Sequence, residues 1–236
     1  MRVIPVVDYY QGQVVLARHG HRDHYQPIKS RLAKNADPIS IIQGILSITE
    51  FNTIYIADLD SIERDHHKHT VWLEVFRQFA HVNFWLDIGH QVDQWAELYA
   101  DIGNVSPVIG SESIESLKSF EQTLSNTDAY SPVLSMDFKN NQLLGPQSFI
   151  QSRFEWPTNI ILLNLDQVGS FKGPDFSSIE QLTPYLPEKC KIYLGGGIRN
   201  KQDLEQAREY NIAGVLIASA LHNRNISRHD LEDFTC

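Results

Sequence analysis

The chain has 236 residues, 42% of them apolar and 21% charged, with a formal charge of −9. This is enough to close one large core, and one domain over residues 1–236 is the expectation. The acidic balance opposes non-specific nucleic-acid binding and attraction to anionic membranes, yet leaves room for a phosphorylated small molecule held by local N–H groups. The two cysteines, Cys190 and Cys236, do not make a disulfide framework. No apolar stretch is long enough to span a bilayer. Met1-Arg2 runs straight into Val3-Ile4-Pro5-Val6-Val7 without a secretory pattern, so the expected location is the cytoplasm.

Val3 to Val7 reads as a strand buried on both faces and ending at Asp8, with Val14 to Ala17 as a small hairpin extension. Asp37-Pro38 is a helix start, an acidic cap followed by proline, and Ile39, Ile41, Ile42, Ile45 and Leu46 form the apolar face. Thr53 to Ala57 is the next strand, ending at Asp58. Its exit DLDSIERDHHKHT reads as a loop before a helix carrying Val71, Trp72, Val75, Phe76 and Phe79. Val82 to Leu86 ends at Asp87, with a helix over Val92–Tyr99, and Val105 to Ile109 ends at Gly110-Ser111, with a helix over Ile114–Thr123.

The second half keeps the rhythm. Pro132 to Met136 ends at Asp137, Asn159 to Leu163 near Asp166, Lys191 to Leu194 at Gly195, and Gly214 to Ile217 at Ala218-Ser219. Residues 223–236 read as a final partial helix. Eight short strands separated mostly by helices indicate an α/β fold, an eight-stranded (β/α)8 TIM barrel. The alternative, a doubly wound open sheet, would carry GxGxxG after the first strand, where this chain has DYYQGQ. A weak internal echo indicates a duplicated half-barrel: Val7-Asp8 against Met136-Asp137, LDIG at 86–89 against LGGG at 194–197, and IGS at 109–111 against IAS at 217–219.

Strand ends of a barrel converge on one face. Asp8, Asp58, Asp87, Asp137 and Asp166 would gather there, and carboxylates are costly to bury unless paired, hydrated or used. Two of them facing a substrate from opposite sides can act as general base and general acid; the plainer role is to accept loop N–H bonds. Gly195, Gly196 and Gly197, with Ser219 in the next unit, form a candidate phosphate site, and Gly110 and Ser111 form half of a symmetric second one. Arg18 and Arg22 suit a substrate's polar end, with His19, His21 and His24 as proton-transfer groups. The His66-His67-Lys68-His69 tract lacks HExxH and zinc-finger spacing, and no metal or cofactor is expected. A homodimer through an aromatic-rich surface around Trp72, Phe76 and Trp85 is a further expectation.

Six stretches carry a resemblance: VIPVVDYYQGQVV, YIADLD at 55–60, VIGSES at 108–113, LSMDFKN at 134–140, YLGGGIRNKQDL at 193–204 and GVLIASALHN at 214–223. Together they resemble the HisA/HisF family of histidine biosynthesis, comprising the phosphoribosylformimino-AICAR ribotide isomerase and its sister cyclase. The resemblance implies a half-barrel duplication, two phosphate sites and a doubly phosphorylated substrate. It also implies an Amadori rearrangement with Asp8 at the general-base position, Asp137 as the strand-five aspartate, and Gly195, Gly196, Ser219, Gly110 and Ser111 in the phosphate regions. Three departures stand against it. Asp87 occupies a turn that is GGG in the family, Val168 stands where the family's acid precedes glycine, with Asp166 nearby, and Ala218-Ser219 replaces glycine-arginine. The pattern is similar to diverged paralogues of methanogens and methylotrophs.

The function this supports is acid/base proton transfer on a phosphorylated sugar-like or heterocyclic metabolite. Asp8 would take the proton, Asp137 or Asp166 would give one, and Arg18 or Arg22 would hold the second end. Two alternatives are a lyase or condensing enzyme of one-carbon cofactor synthesis, for which Lys139 and Lys172 are poorly placed as Schiff-base lysines, and a non-catalytic phosphoribosyl-ligand-binding or scaffold barrel.

Overall fold

The computed structural model describes residues 1–17, 25–64, 69–146, 149–150, 155–170 and 172–234. Its strands, in chain order, are β1 (Arg2–Tyr10), β2 (Gln13–Val15), β3 (Thr53–Asp58), β4 (Asn83–Asp87), β5 (Val105–Gly110), β6 (Val133–Lys139), β7 (Gln142–Leu143), β8 (Asn159–Asn164), β9 (Lys191–Gly195) and β10 (Gly214–Ile217). Eight of them pair in parallel in the order β1-β3-β4-β5-β6-β8-β9-β10, and β10 returns to β1 with Arg2 opposite Gly214. The ring is therefore closed, a (β/α)8 barrel rather than an open doubly wound sheet.

Side chains alternate across each strand and sort the residues into two layers. Ile4, Tyr55, Trp85, Val108, Val133, Ile161, Tyr193 and Leu216 point inward and fill the barrel. Their neighbours Val3, Ile54, Ile56, Phe84, Leu86, Leu134, Ile160, Leu194 and Val215 point outward under the helices. Trp85 meets Tyr193 edge-on inside the barrel, at 4.9 Å between ring centroids. The aromatic surface expected around Trp72, Phe76 and Trp85 does not exist: all three are buried, Trp72 and Phe76 beneath the helical layer and Trp85 in the barrel.

The helices are α1 (Pro38–Leu46), α2 (Leu59–Arg64), α3 (His69–Gln78), α4 (Trp95–Tyr99), α5 (Leu117–Thr127), α6 (Ser177–Leu182), α7 (Lys201–Glu209), α8 (Ser219–His222) and α9 (Arg228–Leu231). Asp37 caps α1 by accepting the Ser40 N–H at 3.0 Å, and Ile41, Ile42 and Ile45 are fully buried beneath it. Boundaries differ elsewhere for local reasons. The exit of β3 is helical because Asp58 accepts the Ser61 N–H and starts α2. The third unit begins as a 3-10 turn at Gly89–Gln94 before α4. α5 begins at Leu117 because Ser116 and Ser119 cap each other, and the last helix is confined to α9.

The two halves repeat a device that the sequence shows only faintly. β2 folds back antiparallel on β1, and β7 folds back in the same way on β6, four strands further round the ring. Asp60 holds the first hairpin turn by accepting the N–H groups of Gln11 and Gly12 at 3.0 and 3.3 Å. Asp166 holds the second by accepting the Asn140 N–H at 2.6 Å. Both aspartates stand two residues beyond a strand end, after Asp58 and after Asn164, so the turn clamp is common to both half-barrels.

Candidate active site

The carboxyl ends of the barrel strands enclose a cavity of about 290 Å3. Asp8, Asp87 and Asp137 all line it, because each has the strand parity of an inward residue: Asp8 follows Ile4 and Val6, Asp87 follows Trp85, and Asp137 follows Val133 and Ser135. β1 and β6 are the first and fifth strands of the ring, so Asp8 and Asp137 face the cavity from opposite sides.

Asp58 has the other parity. It is fully buried outside the barrel, where its second oxygen accepts the Trp72 indole N–H at 2.9 Å. It is a structural hub joining β3, α2 and α3 rather than a substrate contact. Asp166 does not line the cavity and serves the hairpin turn described above. Arg18, His19, His21, Arg22 and His24 lie outside the described residues, as do His66 and His67.

The environments of the carboxylates differ. Asp137 is buried, its Oδ1 accepting the Ser135 hydroxyl at 2.7 Å. Desolvation, then the charge of Glu112 and later that of Asp87, outweigh that bond and hold the Asp137 carboxyl well above the usual range, favouring the protonated form. Asp87 is fixed by the Gly89 N–H at 3.0 Å and by the Tyr55 hydroxyl, which donates to Oδ2 at 3.3 Å. Burial first, and then the charges of Asp87, Asp137 and Asp8, push the Tyr55 phenol far up, so it remains a donor.

At the other side of the mouth Gly196 and Gly197 line the cavity with Ile198, Ala218 and Ser219. Both glycines have positive φ, +95° and +90°, which exposes backbone rather than side chain at this turn. A Cβ on Gly197 would strike the Gly173 carbonyl oxygen. Gly197→Ala is therefore expected to cost roughly 2 kcal/mol in urea unfolding. Gly12→Ala, at φ +83° with open space around it, is expected to cost about half as much; equal losses would remove the steric argument. Gly195 is the last residue of β9, packed against Leu163, and does not line the cavity.

The symmetric turn differs in kind. Ser111 is fully buried and accepts the Asp137 backbone N–H at 2.9 Å. Neither it nor Gly110 lines the cavity, and Asp87 stands at the place that Gly195 fills in the other half. Sequence reasoning did not single out Tyr55, Glu63 or Glu112, which also line the cavity, and it set Lys139 aside as poorly placed, whereas Lys139 lines the cavity too. Strand parity was the signal that could have found Tyr55, and Lys139 shares the inward parity of Asp137. Among the described residues no three His, Cys, Asp or Glu side chains gather as metal ligands, and no helix is long and apolar enough to cross a membrane.

The chain matches the family described as histidine biosynthesis protein over residues 2–227. It is 30% identical to an uncharacterized protein of Methanocaldococcus jannaschii, with 94% of this chain and 93% of that protein covered. It is 23% identical to the 1-(5-phosphoribosyl)-5-((5-phosphoribosylamino)methylideneamino)imidazole-4-carboxamide isomerase of Lachnoclostridium phytofermentans, with 100% of this chain and 98% of the relative covered. The isomerase of the same name from Buchnera aphidicola is also 23% identical, with 93% of each chain covered. Fold, strand-end aspartates and these likenesses agree: the chain belongs to the histidine biosynthesis protein family.

Proposed function

We propose that this protein is an isomerase-like enzyme that transfers a proton within a phosphorylated sugar-like or heterocyclic metabolite, with Asp8 as general base and Asp137 as general acid. The observation that carries the reading is one cavity lined from opposite sides by two inward carboxylates, one of them buried where desolvation raises its pKa and favours the protonated form. Asp137 gives its proton to the ring oxygen of an aminoaldose and opens the ring. Asp8 takes the proton from C2 to leave an enolamine; a proton returned at C1 while the C2 hydroxyl gives up its own, which restores the Asp137 acid, completes the aminoketose with no change in composition. Gly196, Gly197 and Ser219 hold the phosphate through backbone N–H groups and a hydroxyl, which an acidic protein can offer without a cationic cluster.

The isomerase names of the bacterial relatives support the reaction class, and their two phosphoribosyl groups support a phosphorylated ligand. The test is solvent exchange. In D2O, with a panel of aldose and aminoaldose phosphates that includes the relatives' substrate, deuterium is expected to enter at least one compound beside its carbonyl carbon, and Asp8→Asn is expected to abolish the incorporation. Binding of panel members without exchange in any of them would leave a ligand-binding barrel in place of an enzyme.

A further inference from the structure

β6 brings two inward side chains to the mouth, Asp137 and Lys139, two residues apart on one face of the strand. Asp137 pairs across to Leu163 of β8, and Leu163 pairs across to Gly195 of β9, so these three stand in one row of the barrel. Lys139 lies two residues beyond the first of them, and the turn of Gly196 and Gly197 lies directly beyond the last. Lysine and turn therefore stand above the same row, two strand spacings or about 10 Å apart between backbones. A four-carbon stem on one side and a phosphate bonded to a backbone N–H on the other together span that gap. The wall between them consists of Leu163, Leu165, Val168 and Gly169, none of which can take the ammonium by a carboxylate.

Lys139 is half-buried and makes no ion pair among the described residues, although Asp8, Glu63, Asp87, Glu112 and Asp137 line the same cavity. It is also the one cation among the described residues that line it. A charge without a partner in a partly desolvated site is costly until a ligand completes it. The glycine turn has the converse deficiency, since backbone N–H groups and the Ser219 hydroxyl carry no net charge to set against a phosphate. The duplication points the same way. In the first half-barrel the position two residues after Asp8 is the buried Tyr10, and that half has Asp87 in place of the glycine turn. Lysine and glycine turn thus occur together in the second half, and both are missing from the first. We infer that Lys139 reaches across the β8 side of the mouth and binds the phosphate held at Gly196, Gly197 and Ser219, supplying the cation of that site. This rests on the phosphate anchor proposed above and adds a binding residue to it.

Titration calorimetry with inorganic phosphate on the intact chain, at fixed ionic strength, tests this with three variants. Lys139→Met keeps the apolar stem and the backbone pairing with Gln142, so the fold accepts it. It is expected to weaken phosphate binding about tenfold, and Lys139→Arg to restore it to within about threefold of the native chain. Ser219→Asp sets a carboxylate at the anchor and is expected to abolish binding. Native affinity in Lys139→Met, with binding lost in Ser219→Asp, overturns the inference and leaves the phosphate anchor standing. Binding lost in Lys139→Met but intact in Ser219→Asp moves the phosphate off the glycine turn and overturns both. Equal losses in Lys139→Met and Lys139→Arg, with the melting temperature lowered in each, make Lys139 a structural residue and overturn the inference alone. No binding by the native chain overturns the anchor and the inference with it.

Discussion

Replacing Asp137 with asparagine is expected to make the protein more stable and nearly inactive. The side chain is buried, Ser135 can keep its bond to the remaining oxygen, and asparagine carries no proton to lose. In the native protein, burial and the neighbouring Glu112 and Asp87 raise the Asp137 pKa above its unfolded value. The sign follows from linkage: the folded state holds a proton that the unfolded chain has released. The contribution of this group to stability is full below the unfolded pKa and is lost as pH rises through the folded one. Asp137→Asn removes that loss. A gain of about 1 kcal/mol, or about 2–4 °C in melting temperature, is expected at pH 8 and should vanish near pH 4. Turnover should fall about 10²- to 10⁴-fold, as for removal of a positioned acid. Thermal melts at the two pH values and a rate measurement decide the matter. A variant that is less stable at pH 8, with turnover intact, would make Asp137 a brace for the Ser111 loop and take it out of the chemistry.

This combination explains why a carboxylate stands on β6 after the inward positions Val133 and Ser135. A residue chosen for packing alone would be neutral there. Asp58 is as deeply buried, but its two oxygens accept the Trp72 indole N–H and the Ser61 N–H, which fix it as a structural group outside the barrel.

Much of this was legible in the sequence. Eight apolar runs of strand length, six of them closed directly by aspartate or glycine, are enough to give the barrel, because such runs must be covered on both faces. Asp8, Asp87 and Asp137 were legible as strand-end groups, and counting parity back from them would also have turned Asp58 away from the mouth. The hairpin roles of Asp60 and Asp166 were not legible. They depend on the β2 and β7 turns meeting the loops after β3 and β8, contacts between segments far apart in the chain. Glu112 was hidden for a related reason: it follows the end of β5 in a turn whose direction no periodicity encodes, whereas Lys139, two residues beyond Asp137 on β6, was open to the same parity count. The duplication was visible as an echo of short words, but its physical content, a clamped hairpin in each half, came only from the pairing.

Acidification is expected to destabilise the fold between about pH 6.5 and 4, through a histidine remote from the proposed chemistry. His222, in α8, is 3% exposed, with its Nδ1 at 2.9 Å from the Ser30 hydroxyl and its carbonyl oxygen accepting the Arg31 N–H. Desolvation pushes its pKa down to about 4. The unfolded chain therefore binds this proton near pH 6.5 while the folded chain resists it. Stability is full above the unfolded pKa and falls as pH drops towards the folded one, by about 3 kcal/mol in total. Asp137 contributes with the opposite sign over part of this window, so the wild-type curve alone mixes the two effects. Urea titrations across pH 4–7 on Asp137→Asn and on the same variant carrying His222→Gln separate them. The first should lose stability on acidification, and the second should start lower and run flatter through that interval. Parallel curves would assign the acid limb to other groups, Asp203 and Asp230 being excluded because their lowered pKa values place their losses below the ordinary carboxylate range. A steep limb in the first variant that flattens in the second would tie the packing of the last barrel unit, which carries Ser219 at the mouth and His222 one turn behind it, to the protonation state of one buried ring.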